Sequence, residues 1–324
     1  MLQNMLTVGT QVLILFLLIL LGYIAGKTRL FTSASASGMS NIILYFVSPC
    51  MILNAFQRDY DPSMLKGLLL AFAAGEIGHG MGILLSHLLV RDPDKRRECV
   101  YRFCIVFSNC GYMSFPLQQA LLGDTGVFYG TAYVTVFNIL IWSYGILLMS
   151  RSIGGKKQAA GLDASSVDGK VFSVSKRLLN PGILSAIAGL FLFFGSIRLP
   201  NVLASPIASM AALNTPMPMF LIGFYLSNAR FGKILHSPKA YFAITMRLLI
   251  VPLAVVGCYL LLNLRGPVLI ACAIAASAPA AAMGPIFSER FGDDTETAVG
   301  LVSLSTVISI VTMPIIVGLA QSFT

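Results

Sequence analysis

Charged residues are scarce in this chain. Asp, Glu, Lys and Arg make up 11% of its 324 residues, whereas soluble proteins contain roughly 25%. Apolar residues reach 56%, above the roughly 45–50% of soluble domains. A soluble globule of this size would lack the polar side chains that must cover its surface. The composition therefore excludes a soluble protein and predicts an integral membrane protein.

Cysteine is also sparse, and its spacing carries no motif. The six cysteines form no Cys-x-x-Cys pair, and most of them lie within apolar runs. Neither a zinc site nor a framework of disulfides is indicated by such a distribution. We interpret these cysteines as small core residues and expect neither a bound metal nor a cofactor.

The residues that intramembrane catalysis needs are missing as well. A membrane serine protease requires a serine beside a histidine base, and an aspartyl protease requires two aspartates within the membrane. Asp124, Asp293 and Asp294 lie at the ends of apolar runs, and the three histidines adjoin no nucleophile motif. The sequence therefore does not predict an enzyme.

Apolar runs of about bilayer length, roughly 20 residues each, make up most of the chain. They lie at residues 7–26, 38–57, 63–90, 100–122 and 126–150, and then at 178–197, 202–228, 238–262, 266–290 and 296–320. The first run has no basic segment before it, so we expect a retained helix and not a cleaved signal. A polar stretch separates the two sets. We predict a five-helix repeat at 1–150, a cytoplasmic linker at 151–177 and a second five-helix repeat at 178–324.

Basic residues are distributed unevenly over the loops. Seventeen of the 22 Lys and Arg residues fall in alternate loops, and the opposite loops contain only Arg58, Lys66, Arg198 and Arg265. Because basic residues of short loops stay in the cytoplasm, both termini should face away from it in a multi-pass protein of the cell (inner) membrane. This asymmetry accounts for the net charge of +9 without a nucleic-acid partner.

A motif recurs in the two halves at one offset. Pro116, Gly123 and Asp124 of the fourth run match Pro285, Gly292 and Asp293 of the ninth, each pair 169 positions apart. The match indicates an internal duplication. Because each copy contains an odd number of helices, the two copies should be inverted, which is typical of transporters that work by alternating access.

The fourth and ninth runs should be broken near the middle of the membrane. Proline interrupts a helix, and the segments 109–116 and 277–285 combine proline with small residues. Irregular backbone at this depth is tolerated where it is buried in protein or lines a wet cavity. The half-helices that start near Pro116 and Pro285 would then point their N-termini, each worth about +0.5 charge, at the point where the two breaks cross. The crossing favours an anion, although simple proline kinks in packed helices are the structural alternative.

We expect Asn109 to bind the substrate directly, because its amide can donate a hydrogen bond to a carboxylate while staying uncharged. The matching position in the second copy is Ala278, so the site should be asymmetric. The other candidate substrate-binding residues are Cys110, Gly111, Pro116, Asn138, Ser277, Pro279, Met283 and Pro285.

Three charged or histidine residues lie well inside the predicted spans, away from their ends: Glu76, His79 and Arg247. A charge near the bilayer centre costs at least about 2.5–3.5 kcal/mol, so a function or a mutual pairing is expected. One interpretation makes Glu76, together with His79, the site of proton coupling and Arg247 a counter-ion or anion ligand. The other makes Glu76 and Arg247 a fixed ion pair, and Arg247 could also extend toward the cytoplasm.

Several strings resemble the auxin efflux carrier family, which includes plant auxin exporters and bacterial malate or malonate permeases. They are LYFVSPCMILNAF from Leu44, FSNCGYMSFP from Phe107, GDTGVFYG from Gly123, VFNILIWSYG from Val136, Asn180-Pro181, MRLLIVPL from Met246 and SAPAAAMGPIFSERFG from Ser277. The resemblance runs nearly end to end. It implies a fold similar to that of sodium/proton antiporters and bile-acid symporters, with a scaffold of the first, second, sixth and seventh helices and a transport unit that contains the crossing.

The resemblance also implies a homodimer that handles organic anions, with Asn109 and the breaks at Pro116 and Pro285 at the binding centre. The sequence therefore predicts a permease for small organic anions, either dicarboxylates or auxin-like carboxylates, linked to protons or without coupling. A sodium-coupled symporter, whose ion sites usually need carbonyls and a carboxylate or amide, and a transporter-like sensor stay open as alternatives.

Overall fold

The computed structural model describes residues 2–150, 181–228 and 234–323. The predicted linker at 151–177 lies outside these ranges, as do the first three residues of the predicted second repeat. Within the described ranges the chain is entirely helical apart from turns and one isolated bridge between two extended segments.

Helix is present at each of the ten predicted apolar runs. We number these units α1 to α10, and each half of a broken unit carries a letter. The first five are α1 (Leu2–Lys27), α2 (Ser33–Ile42 continued by Ser48–Phe56), α3 (Pro62–Leu89), α4a (Lys95–Val106) with α4b (Phe115–Leu122), and α5 (Asp124–Leu140 continued by Ile146–Ser150). The others are α6 (Pro181–Phe194), α7 (Asn201–Ala212 continued by Pro216–Asn228), α8 (Pro238–Thr245 continued by Val251–Leu261), α9a (Gly266–Ser277) with α9b (Met283–Phe291), and α10 (Thr295–Gln321).

Six of these units are long and apolar enough to cross a membrane, namely α2, α3, α5, α7, α8 and α10. Their lengths of 24 to 28 residues exceed the roughly 20 residues that the hydrocarbon core requires. Large apolar side chains such as Leu17, Phe191 and Leu261 are more than half exposed. Such exposure suits contact with lipid, and the chain is a helical membrane protein.

Side-chain caps fix several helix starts on the membrane surfaces. Asp61 accepts the backbone N–H of Ser63 at 2.7 Å, and Asp294 accepts that of Thr297 at 3.0 Å. The first backbone N–H groups of a helix have no partner inside it, so a short acidic side chain at this position stabilises the helix by about 1 kcal/mol. These caps define the first residues of α3 and α10, which the hydropathy pattern alone does not determine.

Helices α1 and α7 cross at backbone contact. A Cβ atom at Gly22 would overlap the carbonyl of Phe220, and one at Gly223 would overlap the carbonyl of Ile19. Small residues allow membrane helices to approach this closely, which increases the van der Waals contact that holds them together. Helices α2 and α6 pack against each other beside this pair. The ring of Phe56 on α2 covers Gly189 on α6.

The remaining helices form a second group, in which α3 packs on α5 and α8, and α9a packs on α5 and α10. The loop that enters α4a is tied to this group by Asp92, whose carboxylate accepts Arg97 at 2.8 Å and Lys239 at 2.7 Å. Burial raises the pKa of Asp92, but these hydrogen bonds outweigh burial and the pKa falls to about 2. The loop before α4a is therefore held to the start of α8.

We expect Gly223→Ala to lower the free energy of unfolding by about 1–3 kcal/mol, because the added methyl group must push α7 away from α1. Thermal unfolding of the purified protein in detergent measures the change. Gly257→Ala on α8 is the control, since its Cβ would meet nothing within 4 Å. Equal stability of the two variants would contradict the close approach of α1 and α7.

Asp92→Asn should cost about 1.5–3 kcal/mol, the usual worth of a hydrogen bond to a charged group. Because the folded pKa lies below the ordinary value near 4, the stabilisation is complete above about pH 4 and is lost as the pH falls toward about 2. Unfolding measured as a function of pH tests this expectation. Asp59→Asn, which removes an exposed contact to Arg198, should leave stability unchanged, and an equal loss from both variants would contradict it.

Candidate functional site

The two broken helices meet where their backbones are extended. The helix α4a ends at Val106 and α9a ends at Ser277, and the segments that follow pair antiparallel with Ser108 opposite Ala280. The N–H of Asn109 donates to the carbonyl of Pro279 at 2.7 Å, and the N–H of Ala281 donates to that of Phe107 at 2.9 Å. Both breaks therefore occur close to the predicted positions, although the first begins two residues earlier, at Phe107.

The serine side chain of a neighbouring helix completes the crossing. The N–H of Ala280 donates to the Oγ of Ser305 on α10 at 3.2 Å. Ser309 donates to the carbonyl of Thr306 within the same helix, and neither serine is among the residues that line the two cavities described below. Ser305 thus accepts a buried backbone N–H group that the break in the ninth helix leaves without a partner inside the helix.

Arg247 lies beside this crossing and is almost entirely buried, with 3% of its surface exposed. Its Nη1 donates to the carbonyl of Ile105 at 2.9 Å, near the end of α4a. Its Nε donates to Ala278 at 3.2 Å, and its Nη2 donates to Ala276 at the end of α9a. One guanidinium therefore joins the ends of both first half-helices through backbone carbonyls.

This geometry corrects the predicted partnership of Arg247 with Glu76. The side chain of Glu76 is exposed on the outer surface of α3 and makes no ion pair within the described residues. Successive positions of α3 turn by about 100°, and Glu76 lies just beyond the edge of the buried face that carries Gly75 and His79. Arg247 does not extend toward the cytoplasm either, because its donors are held by the carbonyls.

His79 occupies the buried face of α3. Its Nδ1 lies 2.8 Å from the carbonyl of Gly75, so this nitrogen carries the proton of the bond. Its ring packs against Tyr133 and against Phe107 of the crossing, at centroid distances of 5.2 and 6.1 Å. Its Nε2 is buried and has no hydrogen-bond partner among the described residues. Of the two acid–base candidates on α3, His79 is the one that adjoins the crossing.

A small cavity of about 190 Å³ adjoins the crossing, and four predicted site residues line it: Asn109, Gly111, Asn138 and Met283. The amide of Asn109 makes no hydrogen bond to other described side chains or backbone groups. The amide nitrogen of Asn138 donates to the carbonyl of Val134 on its own helix at 3.0 Å. The cavity therefore offers the free amide of Asn109 to a bound molecule.

A larger cavity of about 950 Å³ continues from the small one. Leu44, Tyr112, Trp142, Ala282 and Met283 line both. The larger cavity reaches Pro181 and Asn228, which lie at the ends of α6 and α7 next to the basic loops. The larger cavity thus extends from the crossing to the start of α6 and the end of α7.

A group of packed aromatic rings lies one helical turn beyond the small cavity. Ile52 of α2 lines the cavity, and one helical turn later Phe56 packs on Phe128 of α5 at 4.7 Å between ring centroids. Phe128 packs in turn on Phe193 of α6 at 5.2 Å. We call Phe56, Phe128 and Phe193 the aromatic cluster. The cluster joins α2 and α6 of the first packing group to α5 of the second.

The remaining predicted residues take structural positions or line only the larger cavity. Pro285 lines the larger cavity, whereas Cys110, Pro116, Ser277 and Pro279 are buried and line neither cavity. The carbonyl of Pro279 accepts the N–H of Asn109, and the Oγ of Ser277 donates to the carbonyl of Ile274 at 3.1 Å. Ser277 and Pro279 thus take part in the backbone hydrogen bonding of the crossing, and their part in substrate binding stays a prediction.

Sequence reasoning missed the aromatic and hydroxyl side chains that face the cavities. Tyr112 and Trp142 line both, and Ser48 lines the smaller one. All three occur inside strings that resemble the auxin efflux carrier family, so the strings themselves held the signal. Gln118 was also missed, and its Nε2 ties α4b to α9a through the carbonyl of Ala271 at 2.8 Å.

Charged side chains are absent from the linings of the two cavities within the described residues. The linings combine apolar and aromatic side chains with the amides of Asn41, Asn109, Asn138 and Asn228. Such a surface can hold an organic molecule through its apolar body and orient one polar group by hydrogen bonds. The arrangement suits binding and contains no assembled catalytic pair.

Comparison with known proteins identifies the family. A protein named "Uncharacterized transporter" from Methanothermobacter thermautotrophicus is 23% identical over 308 residues, covering 94% of this chain and 95% of the relative. A protein named "Putative malonate transporter" from Rhizobium meliloti is 22% identical over 317 residues, covering 96% and 95%. The model of the family described as membrane transport protein matches residues 7–317. The chain therefore belongs to the membrane transport protein family, the auxin efflux carrier family that its sequence strings resemble.

Proposed function

We propose that this protein is a secondary transporter that moves small organic anions across the cell (inner) membrane by alternating access. The observation that carries the proposal is the antiparallel crossing of two broken helices beside a cavity that extends to the start of α6 and the end of α7. A substrate at such a crossing can be exposed to either side by rearranging the helices around a fixed site.

The paired positions of the elements support two inverted repeats at 1–150 and 178–324. Residues 169 positions apart have the same place in the fold: Pro116 and Pro285 each lie in the second half of a broken helix, and Gly123 and Gly292 each end that half with a positive φ. The grouping of α1 and α7 with α2 and α6 agrees with the predicted scaffold. The homodimer implied by the resemblance and the cytoplasmic linker stay predictions.

The distribution of basic residues sets the orientation in this proposal. The open cavity reaches the ends of α6 and α7 next to the basic loops, and these loops belong in the cytoplasm. The described conformation is then open to the cytoplasm and closed on the other side by the aromatic cluster, and both termini lie on the non-cytoplasmic side.

The substrate class follows from what the cavities offer. A carboxylate can accept hydrogen bonds from the amide of Asn109. It is also favoured by the N-terminal end of the second half-helix, where the π-helical segment Cys110–Ser114 follows Asn109 and runs into Phe115–Leu122. The name of one relative points to malonate. The apolar and uncharged lining favours a second candidate, a monocarboxylate with an aromatic or aliphatic body, because a second carboxylate would lack a charged partner.

Proton coupling through Glu76 is not supported by its exposed position. His79 adjoins the crossing, so a proton-linked mechanism would use this imidazole, whose Nε2 lacks a partner among the described residues. Transport without coupling agrees equally well with the uncharged cavity.

Uptake into proteoliposomes tests the function. We expect saturable uptake of radiolabelled malonate or of an aromatic monocarboxylate such as indole-3-acetate, and competition between the two will show which is preferred. Asn109→Ala should lower uptake at least about tenfold, because a hydrogen bond to a charged group is worth about 1.5–3 kcal/mol.

Asn201→Ala, which removes an exposed amide at the start of α7, is the control and should transport normally. Unchanged uptake by Asn109→Ala would remove this residue from the site. A folded wild-type protein that moves no member of a broad panel of organic anions would contradict the transporter proposal itself.

Opening the aromatic cluster should expose the site from the other side. We expect Phe128→Ala, in a cysteine-free protein that carries Asn138→Cys, to raise the labelling rate by a membrane-impermeant thiol reagent from outside at least about tenfold, because the closed state loses ring packing worth about 3 kcal/mol or more. Labelling of intact cells measures the rate. Phe191→Ala, an exposed ring on α6, is the control, and equal rates for both variants would contradict a gate at the cluster.

A further inference from the structure

Arg247 is the buried cation of the crossing, and its hydrogen-bond partners are backbone carbonyls instead of a carboxylate. A buried charge needs an opposite charge or several hydrogen bonds. Three of the guanidinium nitrogens donate to the carbonyls of Ile105, Ala276 and Ala278, and no carboxylate pairs with it within the described residues. The positive charge is therefore balanced by backbone dipoles and not by an acid that could take up a proton.

Two of these carbonyls lie at the C-terminal ends of helices. Ile105 is the second-to-last residue of α4a, and Ala276 is the second-to-last residue of α9a. The last carbonyls of a helix have no partner inside it, and each helix end carries about −0.5 charge. The C-terminal ends of α4a and α9a both converge on the guanidinium. The crossing therefore has a region of negative potential, in contrast to the positive N-terminal ends of the second half-helices, which favour the substrate.

A region of this kind is where coupled transporters hold their ion. Unwound backbone carbonyls and the C-terminal ends of half-helices coordinate Na⁺ in inverted-repeat transporters. Oxygen ligands are what hard cations of this type require. In this protein the side chain of Arg247 already donates to the carbonyls of both helix ends, and a second cation at the same carbonyls would be repelled.

We propose that Arg247 is a built-in cation that takes the place of a coupling sodium ion at the crossing, so that organic-anion transport proceeds without Na⁺. The inference rests on the proposed transport function. Arg247 is then a positioning residue: it holds the ends of α4a and α9a together so that the crossing, and with it Asn109, keeps its geometry in the absence of any external cation.

The first arm of the test uses the wild-type protein in proteoliposomes. Uptake of the transported anion is compared in NaCl, KCl and choline chloride at equal ionic strength, and with an imposed Na⁺ gradient. We expect rates that agree within about twofold, since no Na⁺ enters the cycle. Uptake that requires Na⁺, or that an Na⁺ gradient drives severalfold, overturns the proposal and leaves the transport function intact.

The second arm removes the cation and supplies it again. Arg247→Ala should lower uptake at least tenfold, and millimolar guanidinium or Na⁺ should restore part of it. Choline should not, because its quaternary nitrogen has no N–H donor and its methyl groups keep the charge away from the vacated carbonyls. Arg247→Lys keeps a charge at the same place and should retain more uptake than Arg247→Ala while staying independent of Na⁺. A folded but inactive Arg247→Ala protein that neither cation restores would mean that the crossing needs the arginine side chain itself and not merely a cation. This result would overturn the proposal.

Thermal unfolding separates failure of this inference from failure of the transport function. The midpoint of Arg247→Ala should rise with guanidinium or Na⁺ and not with choline, and the midpoint of wild-type protein should be insensitive to the choice of Na⁺ or K⁺. These readouts need no substrate. No flux of any anion combined with cation-specific stabilisation of Arg247→Ala would reject the transport function and keep the built-in cation, whereas no cation-specific stabilisation rejects the built-in cation.

Discussion

Backbone groups that leave a helix inside a membrane must find new partners, and the centre of this protein is organised around that constraint. In lipid each unsatisfied N–H or C=O group costs several kcal/mol. The two breaks satisfy part of this need by pairing with each other through Asn109 and Ala281. Ser305 accepts a further N–H, and Arg247 donates to the freed carbonyls. The positions of α8 and α10 follow from these contacts.

The same constraint explains how binding and structure share the crossing. Most of the backbone N–H and C=O groups near the breaks form hydrogen bonds with other groups of the protein. The side-chain amide of Asn109 does not, and it faces the small cavity. Tyr112 and Trp142 cover the remaining walls with aromatic surface. A site with few free donors depends on shape and apolar contact for much of its affinity, and this suits a substrate that has to be released after every cycle.

The sequence predicted the helices, the two breaks and the place of Asn109 at the crossing because each of these has a local signal. Bilayer-length apolar runs mark the helices, and Pro116 and Pro285 mark the interrupted ones. The direction in which Glu76 points had no such signal, since the lipid-facing and protein-facing sides of a membrane helix are both apolar and no periodicity distinguishes them. The partners of Arg247 were equally hidden, because backbone carbonyls leave no trace in a residue pattern. The cavities arise from how helices distant in sequence are placed, so their aromatic lining became apparent only in the fold.

Gly22 packs on the backbone of Phe220, and Gly223 packs on that of Ile19, so α1 and α7 have little freedom to move relative to each other. Two helices in backbone contact cannot slide or roll past each other without steric clashes between their side chains. Helices α1 and α7 should therefore move as one rigid body. Displacement must then be taken up where side chains alone meet, as at the boundary between Phe56 and Phe128.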